Sequence, residues 1–182
     1  RRDGGLTESG EDASDDMNRS RAGFRADWKS GTADAFTAQG GITTGRTGES
    51  STLFEPAAPF ARTVEQRDRM LNADILGRWT RTLSATSEIS LQAYASRETV
   101  HLPQVKATND TLDVEFQHHV KPWAGHDIVW GAGYRLHSDD IESTFSLSVE
   151  PVRRTEQVVN AFVQDEITLV PDTLRFTAGS KF

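Results

Sequence analysis

Apolar residues recur at every second position over one segment after another of this chain, with clusters of turn-forming residues in between. A strand turns successive side chains to opposite faces and converts that period into one apolar and one polar surface, whereas a helix would scatter it. The stretch "HDIVWGAGYRLH", residues 126–137, is the clearest case. Ile128, Trp130, Ala132, Tyr134 and Leu136 fall on one face, with Asp127, Gly131, Gly133, Arg135 and His137 between them. Each interior glycine would cost a helix about 1 kcal/mol.

The same reading predicts eight strands, over 22–29, 34–42, 73–83, 88–99, 110–121, 126–137, 157–169 and 172–182. All six prolines (Pro56, Pro59, Pro103, Pro122, Pro151, Pro171) fall between these segments, where no ladder hydrogen bond is lost. Residues 1–21 are acidic and rich in Gly and Ser, and are expected to be a mobile polar segment ahead of the β-domain 22–182. Stretch 61–71, "ARTVEQRDRML", is expected to form a short helix inside a loop. The predicted connections alternate strictly: 30–33, 84–87, 122–125 and 170–171 are short, while 43–72, 100–109 and 138–156 are long. An up-and-down membrane barrel has that order, with tight turns at one end and long loops at the other. The expected fold is therefore all-β, an antiparallel up-and-down meander of about eight strands forming part of a larger barrel.

The two faces sharpen this expectation. One collects Phe24, Trp28, Phe36, Ile75, Trp79, Leu91, Leu112, Phe116, Trp130 and Phe176, interspersed with small residues such as Ala26, Ala38, Gly40, Ala73, Gly77, Ala93 and Ala95. The other collects Arg25, Asp27, Gln39, Arg78, Gln92, Asp113, Glu115, Asp127 and Arg135. A closed core packed to native density favours bulkier residues, while lipid chains fill the gaps around small ones. Trp28, Trp79, Trp123 and Tyr134 are placed toward strand ends or in a short turn, as interfacial aromatics. Arg81 and Arg97 break the apolar face and are expected to snorkel to the interface. In segment 157–169, Val158 and Phe162 compete with Val159, Val163 and Ile167 for opposite faces, so its facing is left open.

Composition narrows the chemistry. The net charge of -7 disfavours a nucleic-acid partner, and the absence of cysteine excludes disulfides and thiolate catalysis. No apolar run reaches the length of a membrane helix, which leaves strands as the only spanning option. No catalytic constellation is read, and no cofactor or metal site. His118 and His119 point to opposite faces, and His101, His126 and His137 lack ligand partners at useful spacing. Asp139, Asp140 and Glu142 lack the spacing of a calcium loop. The carboxylates Glu88, Asp113 and Glu115 share the polar face, where a charged lumen lining explains them without catalysis. Gly131 and Gly133 form a lone G-x-G, read as a device for strand curvature. Segment 43–72 is the ligand candidate: Arg46, Phe54, Phe60, Arg62 and Arg67 on a long loop suit an anionic aromatic chelate.

The runs "WGAGYR" (130–135), "FVQDE" (162–166), "LRFTAGSKF" (174–182) and "GFRADW" (23–28) resemble barrel strands of TonB-dependent outer-membrane receptors, over roughly 22–182. That resemblance implies a bacterial outer-membrane location, lipid around the wall, and import of an extracellular chelate such as an iron-siderophore. It also implies TonB coupling through a plug domain that these residues do not include. The opening "RRDGG", without Met, and the end at Phe182 in mid-alternation suggest a piece of a longer chain whose exposed edges and apolar face favour self-association. The alternative is a self-contained eight-stranded soluble barrel with a small apolar ligand inside, lipocalin-like.

Overall fold

A computed structural model describes residues 4–6, 10, 15–54, 56–102, 105–143 and 147–182, without the side chains of 51, 53 and 54. Eight strands account for most of it: β1 (Met17–Ser30), β2 (Asp34–Phe54), β3 (Ala61–Ser84), β4 (Ser87–His101), β5 (Lys106–Val120), β6 (His126–Glu142), β7 (Arg153–Val170) and β8 (Leu174–Lys181). They form one antiparallel sheet in sequence order, each strand paired with the next. β1 and β8 are its edges and do not touch each other. No helix among the described residues is long and apolar enough to cross a membrane, a statement that does not bear on strands.

All eight predicted strands are present, and most are longer than expected. The largest difference lies in 43–72. Instead of a loop, β2 and β3 continue in register from Ile42 opposite Ala73 to Phe54 opposite Ala61, leaving only 55–60 as the connection. The helix expected over 61–71 is strand, because the partner ladder of β2 offers each peptide group a hydrogen bond while no apolar stripe awaits a helix. Similarly, 100–109 shrinks to 102–105 and 138–156 to 143–152. β1 begins at Met17, so residues 17–21, expected to be mobile, pair with Thr43–Thr47 of β2.

The tight turns lie at one end of the sheet. Gly31 and Gly125 take φ of 65° and 83° there, a region that favours glycine, and the Gly125 carbonyl accepts the Thr168 N–H at 2.7 Å. The three other connections lie at the opposite end, where the hairpins project farthest.

No described apolar side chain is buried, so the described residues form no apolar core. Phe24, Ile75 and Phe176 are each more than half exposed. In an antiparallel ladder directly paired residues share a face, so the register assembles rows across the sheet. One row runs Trp28, Phe36, Trp79, Leu91, Phe116, Ala132, Ala161; the next Ala26, Ala38, Gly77, Ala93, Val114, Tyr134, Val159; the next Phe24, Gly40, Ile75, Ala95, Leu112, Leu136. Together they form a continuous apolar band. It extends from Ala73 to Leu83 on β3, interrupted there by Arg81, and from Ile128 to Leu136 on β6, about 27–34 Å of strand at about 3.4 Å per residue. At the 35–45° tilt usual for barrel strands this is about 19–28 Å of height, against about 25 Å for the lipid-facing band of outer-membrane barrels.

Register also settles the facing of β7. Val159, Val163 and Ile167 pair with Tyr134, Trp130 and His126 on the apolar side, which turns Val158 and Phe162 to the polar side. Phe162 lies over Gly131. A Cβ built on that glycine would sit 2.8 Å from the Phe162 ring and 2.4 Å from the Phe116 carbonyl oxygen, so only glycine fits. Gly40 stands in the same relation to the ring of Phe24 on the other face. The polar face of "HDIVWGAGYRLH" is thus glycine-dotted because neighbouring side chains occupy the space above it.

Candidate functional site

The polar face is the part of the sheet with organised chemistry. At the tight-turn half of β1 and β2, the Arg25 guanidinium donates to Asp27 at 2.7 and 3.0 Å and to Gln39 at 3.1 Å, and Thr37 Oγ1 donates to Asp27 at 2.6 Å. Arg78 donates to Gln92 across β3 and β4, and Arg135 to Asp113 at 2.8 Å across β6 and β5. Nearer the turns, Lys121 and His119 both contact Asp127, and Arg175 reaches Glu166 at 3.2 Å. The arginines are exposed and their partners range down to a half-buried Asp113, so each pair contributes modestly to stability. Their effect is to hold alternating charges in fixed positions over a wet surface. Glu88, Asp113 and Glu115 share this face as expected, but Asp113 is taken by Arg135, and Glu115 stands opposite Gln92 and Gly133.

The aromatics form a second pattern. Trp28 stacks on Phe36 with centroids 5.2 Å apart, and Trp130 tilts against Phe116 and meets His118 edge-on, each at 5.5 Å. The Trp79 indole N–H donates to Asp34 at 2.8 Å and the Trp130 N–H to His118 at 3.1 Å. With Trp123 against His126 in the turn 121–125, these residues concentrate at the tight-turn end of the apolar band. Such rings carry an apolar body with one polar edge, which suits a boundary between hydrocarbon and water. Tyr134 departs from expectation: with β6 continuing to Glu142 it stands in mid-band, between Val114 and Val159. Trp130 and His118 join this cluster at the tight-turn end, and neither was placed there from sequence.

The two charges on the apolar face do not stand alone. Arg81 is directly opposite Asp34, at 3.8 Å, and Arg97 is directly opposite Asp110, with bonds of 2.7 and 2.9 Å. Each arginine is thus matched by a cross-strand carboxylate rather than by reaching toward a strand end. The Arg81–Asp34 pair interrupts the tight-turn end of the band, between Trp79 and Leu83, and the Arg97–Asp110 pair lies in its opposite end row, beside Ala73.

His118 and His119 point to opposite faces, as adjacency on a strand requires. The expectation that His126 and His137 lack carboxylate partners is corrected: His126 lies 2.6 Å from Asp165 across the strand, and His137 lies 2.8 Å from Asp139 two residues along. Each is a one-to-one pair. Of the acidic group at 139–142, Asp140 binds Arg153 and Glu142 binds Lys106.

The five ligand candidates do not converge. Arg46 and Arg67 are on the apolar-face side of β2 and β3; Arg62, paired in register with Leu53, is on the opposite side. Phe60 is exposed in the 55–60 connection, where its φ of 64° marks a tight left-handed turn. Phe54 ends β2, and its side chain falls outside the described residues. What the register does bring together is Arg46 and Arg69, directly opposite each other; Arg69 was not singled out from sequence. Comparison with protein-family models, with curated proteins and with solved structures gives no match to this chain.

Proposed function

We propose that this chain is a wall segment of an outer-membrane transport barrel of the TonB-dependent receptor kind, which its sequence resembles. In this role the apolar face meets lipid, the ion-paired face lines a hydrated lumen, and the projecting β2–β3, β4–β5 and β6–β7 hairpins face outward. The observation that carries the reading is an apolar face of barrel-like height that no described part of the chain covers. Its boundary aromatics and matched boundary charges support the same assignment. The cargo proposed is a metal chelate such as an iron-siderophore, passed along the fixed charges of Arg25, Asp27, Arg78 and Arg135. No residue here carries out bond-making chemistry in this reading; the wall supplies selectivity and a path. Sealing a closed eight-stranded soluble barrel requires β1 to pair with β8, and their separation speaks against that alternative.

The test is far-UV circular dichroism with size-exclusion mass, in plain buffer and then in detergent micelles. A β spectrum that appears only with detergent is the expected result. A cooperative monomeric β fold in buffer alone would overturn the reading.

A further inference from the structure

Charges in this sheet are mostly matched across strands: Arg97 with Asp110, Lys106 with Glu142, Arg153 with Asp140. The β2–β3 hairpin is different. Arg46 and Arg69 are direct cross-strand partners, and Arg67 follows two residues along β3 on the same side. None of the three guanidiniums has an ion-pair or hydrogen-bond partner among the described residues. Like charges directly opposite destabilise a ladder, so this arrangement calls for an anion. An open recess of about 380 Å³ lies beside the pair, lined also by Asn18, Ser20 and Thr44, which add hydroxyl and amide groups.

Height identifies the anion. On the apolar side, β2 and β3 rise through Ile42 with Ala73, then Thr44 with Leu71, and then Arg46 with Arg69. The arginine pair is the first charged row above the apolar band of this hairpin, on the lipid-facing side rather than the lumen side. It stands about 14 Å of strand above Ala73, roughly 10 Å in height when tilted. The headgroup layer extends about 5–8 Å beyond the hydrocarbon, and an arginine side chain reaching several Å back toward the band enters it. Paired guanidiniums offer parallel N–H donors that match the oxygens of a phosphate monoester.

We infer that Arg46 and Arg69, assisted by Arg67, form an outward-facing clamp for the phosphate of an anionic lipid headgroup. The inference rests on the membrane-barrel reading and extends it from generic lipid contact to a specific headgroup chemistry. It also reassigns two of the sequence-predicted ligand residues from imported cargo to surrounding lipid.

The experiment folds the protein into phosphatidylcholine vesicles with and without a minor share of phosphatidic acid and measures the unfolding equilibrium in each. Phosphatidic acid is expected to stabilise the native protein, and the R46Q/R69Q variant is expected to lose about fivefold of that effect per guanidinium removed. In pure phosphatidylcholine the order reverses, because R46Q/R69Q is relieved of like-charge repulsion and becomes the more stable form. R19Q/R21Q removes the same charge from the polar face at similar height and should keep the full phosphatidic-acid response. An equal response from native protein and R46Q/R69Q would overturn the clamp, as would equal stabilisation by dissolved inorganic phosphate. Failure to fold into any vesicle would overturn the barrel reading, and the clamp with it.

Discussion

If the apolar face meets lipid, the cost of an arginine placed on it must depend on depth and on side. Val114 tests this most directly. It lies in the middle row of the band on β5, between Ala93 and Tyr134, and its side chain shares the apolar face. The band edges lie about 10–14 Å above and below it in height, given the total estimated from strand length and tilt. An extended arginine reaches roughly half that distance, so V114R cannot bring its charge fully into water. The expected cost is about 2–4 kcal/mol, or about 30- to 900-fold in the unfolding equilibrium.

Thr108 is on the same strand and face, six residues higher, in the row of Leu71, Thr99, Asp140 and Arg153. T108R should cost about 0–1 kcal/mol, since its charge emerges among headgroups. Glu115 neighbours Val114 but faces the other way, and E115R should likewise stay within about 1 kcal/mol. The assay is urea unfolding from lipid vesicles, followed by tryptophan fluorescence, with V114M as the control for bulk without charge. Costs for V114R and T108R within about 0.5 kcal/mol of each other would refute the lipid assignment. So would a larger cost for E115R than for V114R, because the faces would then be inverted.

Three further outcomes follow from particular contacts. G131A should destabilise by about 1–3 kcal/mol in thermal unfolding, because its Cβ meets the Phe116 carbonyl as well as the Phe162 ring. F162A should not rescue it, and a rescue would mean that the backbone contact yields. Removing Arg97 alone should cost more than removing it together with Asp110, since R97L leaves a carboxylate facing the lipid boundary; a double-mutant cycle with R97L and D110L should show coupling of about 0.5–3 kcal/mol. In the β2–β3 hairpin, partial burial and the neighbouring Glu49 push the Asp68 carboxyl up to about 6, and its Oδ1 has no hydrogen-bond partner among the described residues. A carboxyl with a raised folded pKa holds its proton more tightly when folded, so its contribution is full below the unfolded pKa and is lost as pH rises through about 6. Proteolysis of residues 44–70 should accelerate over that range, and D68N should flatten the profile.

Legibility in the sequence followed physical necessity. Period-two alternation is forced only where one face is apolar, and all eight strands were readable where they cross that band. Above it both faces are wet, nothing constrains the pattern, and "TTGRTGESSTLF" reads as a loop although it is strand. The same absence of constraint let Glu, Gln, Arg and Met in 61–71 suggest a helix. Facing failed on β7 for another reason: Phe162 is an apolar residue on the polar side, tolerated because it fills the space over Gly131. The charge pairs were hidden because opposition across strands is a property of register, and register depends on turn lengths that the sequence reading overestimated at 43–72. Shortening that connection to 55–60 is what sets Arg46 against Arg69. Two residues that read separately as loop cations become, once the ladder is drawn, a concentrated positive charge at one height on one face. Their chemistry is therefore a consequence of the hairpin's length rather than of any local motif.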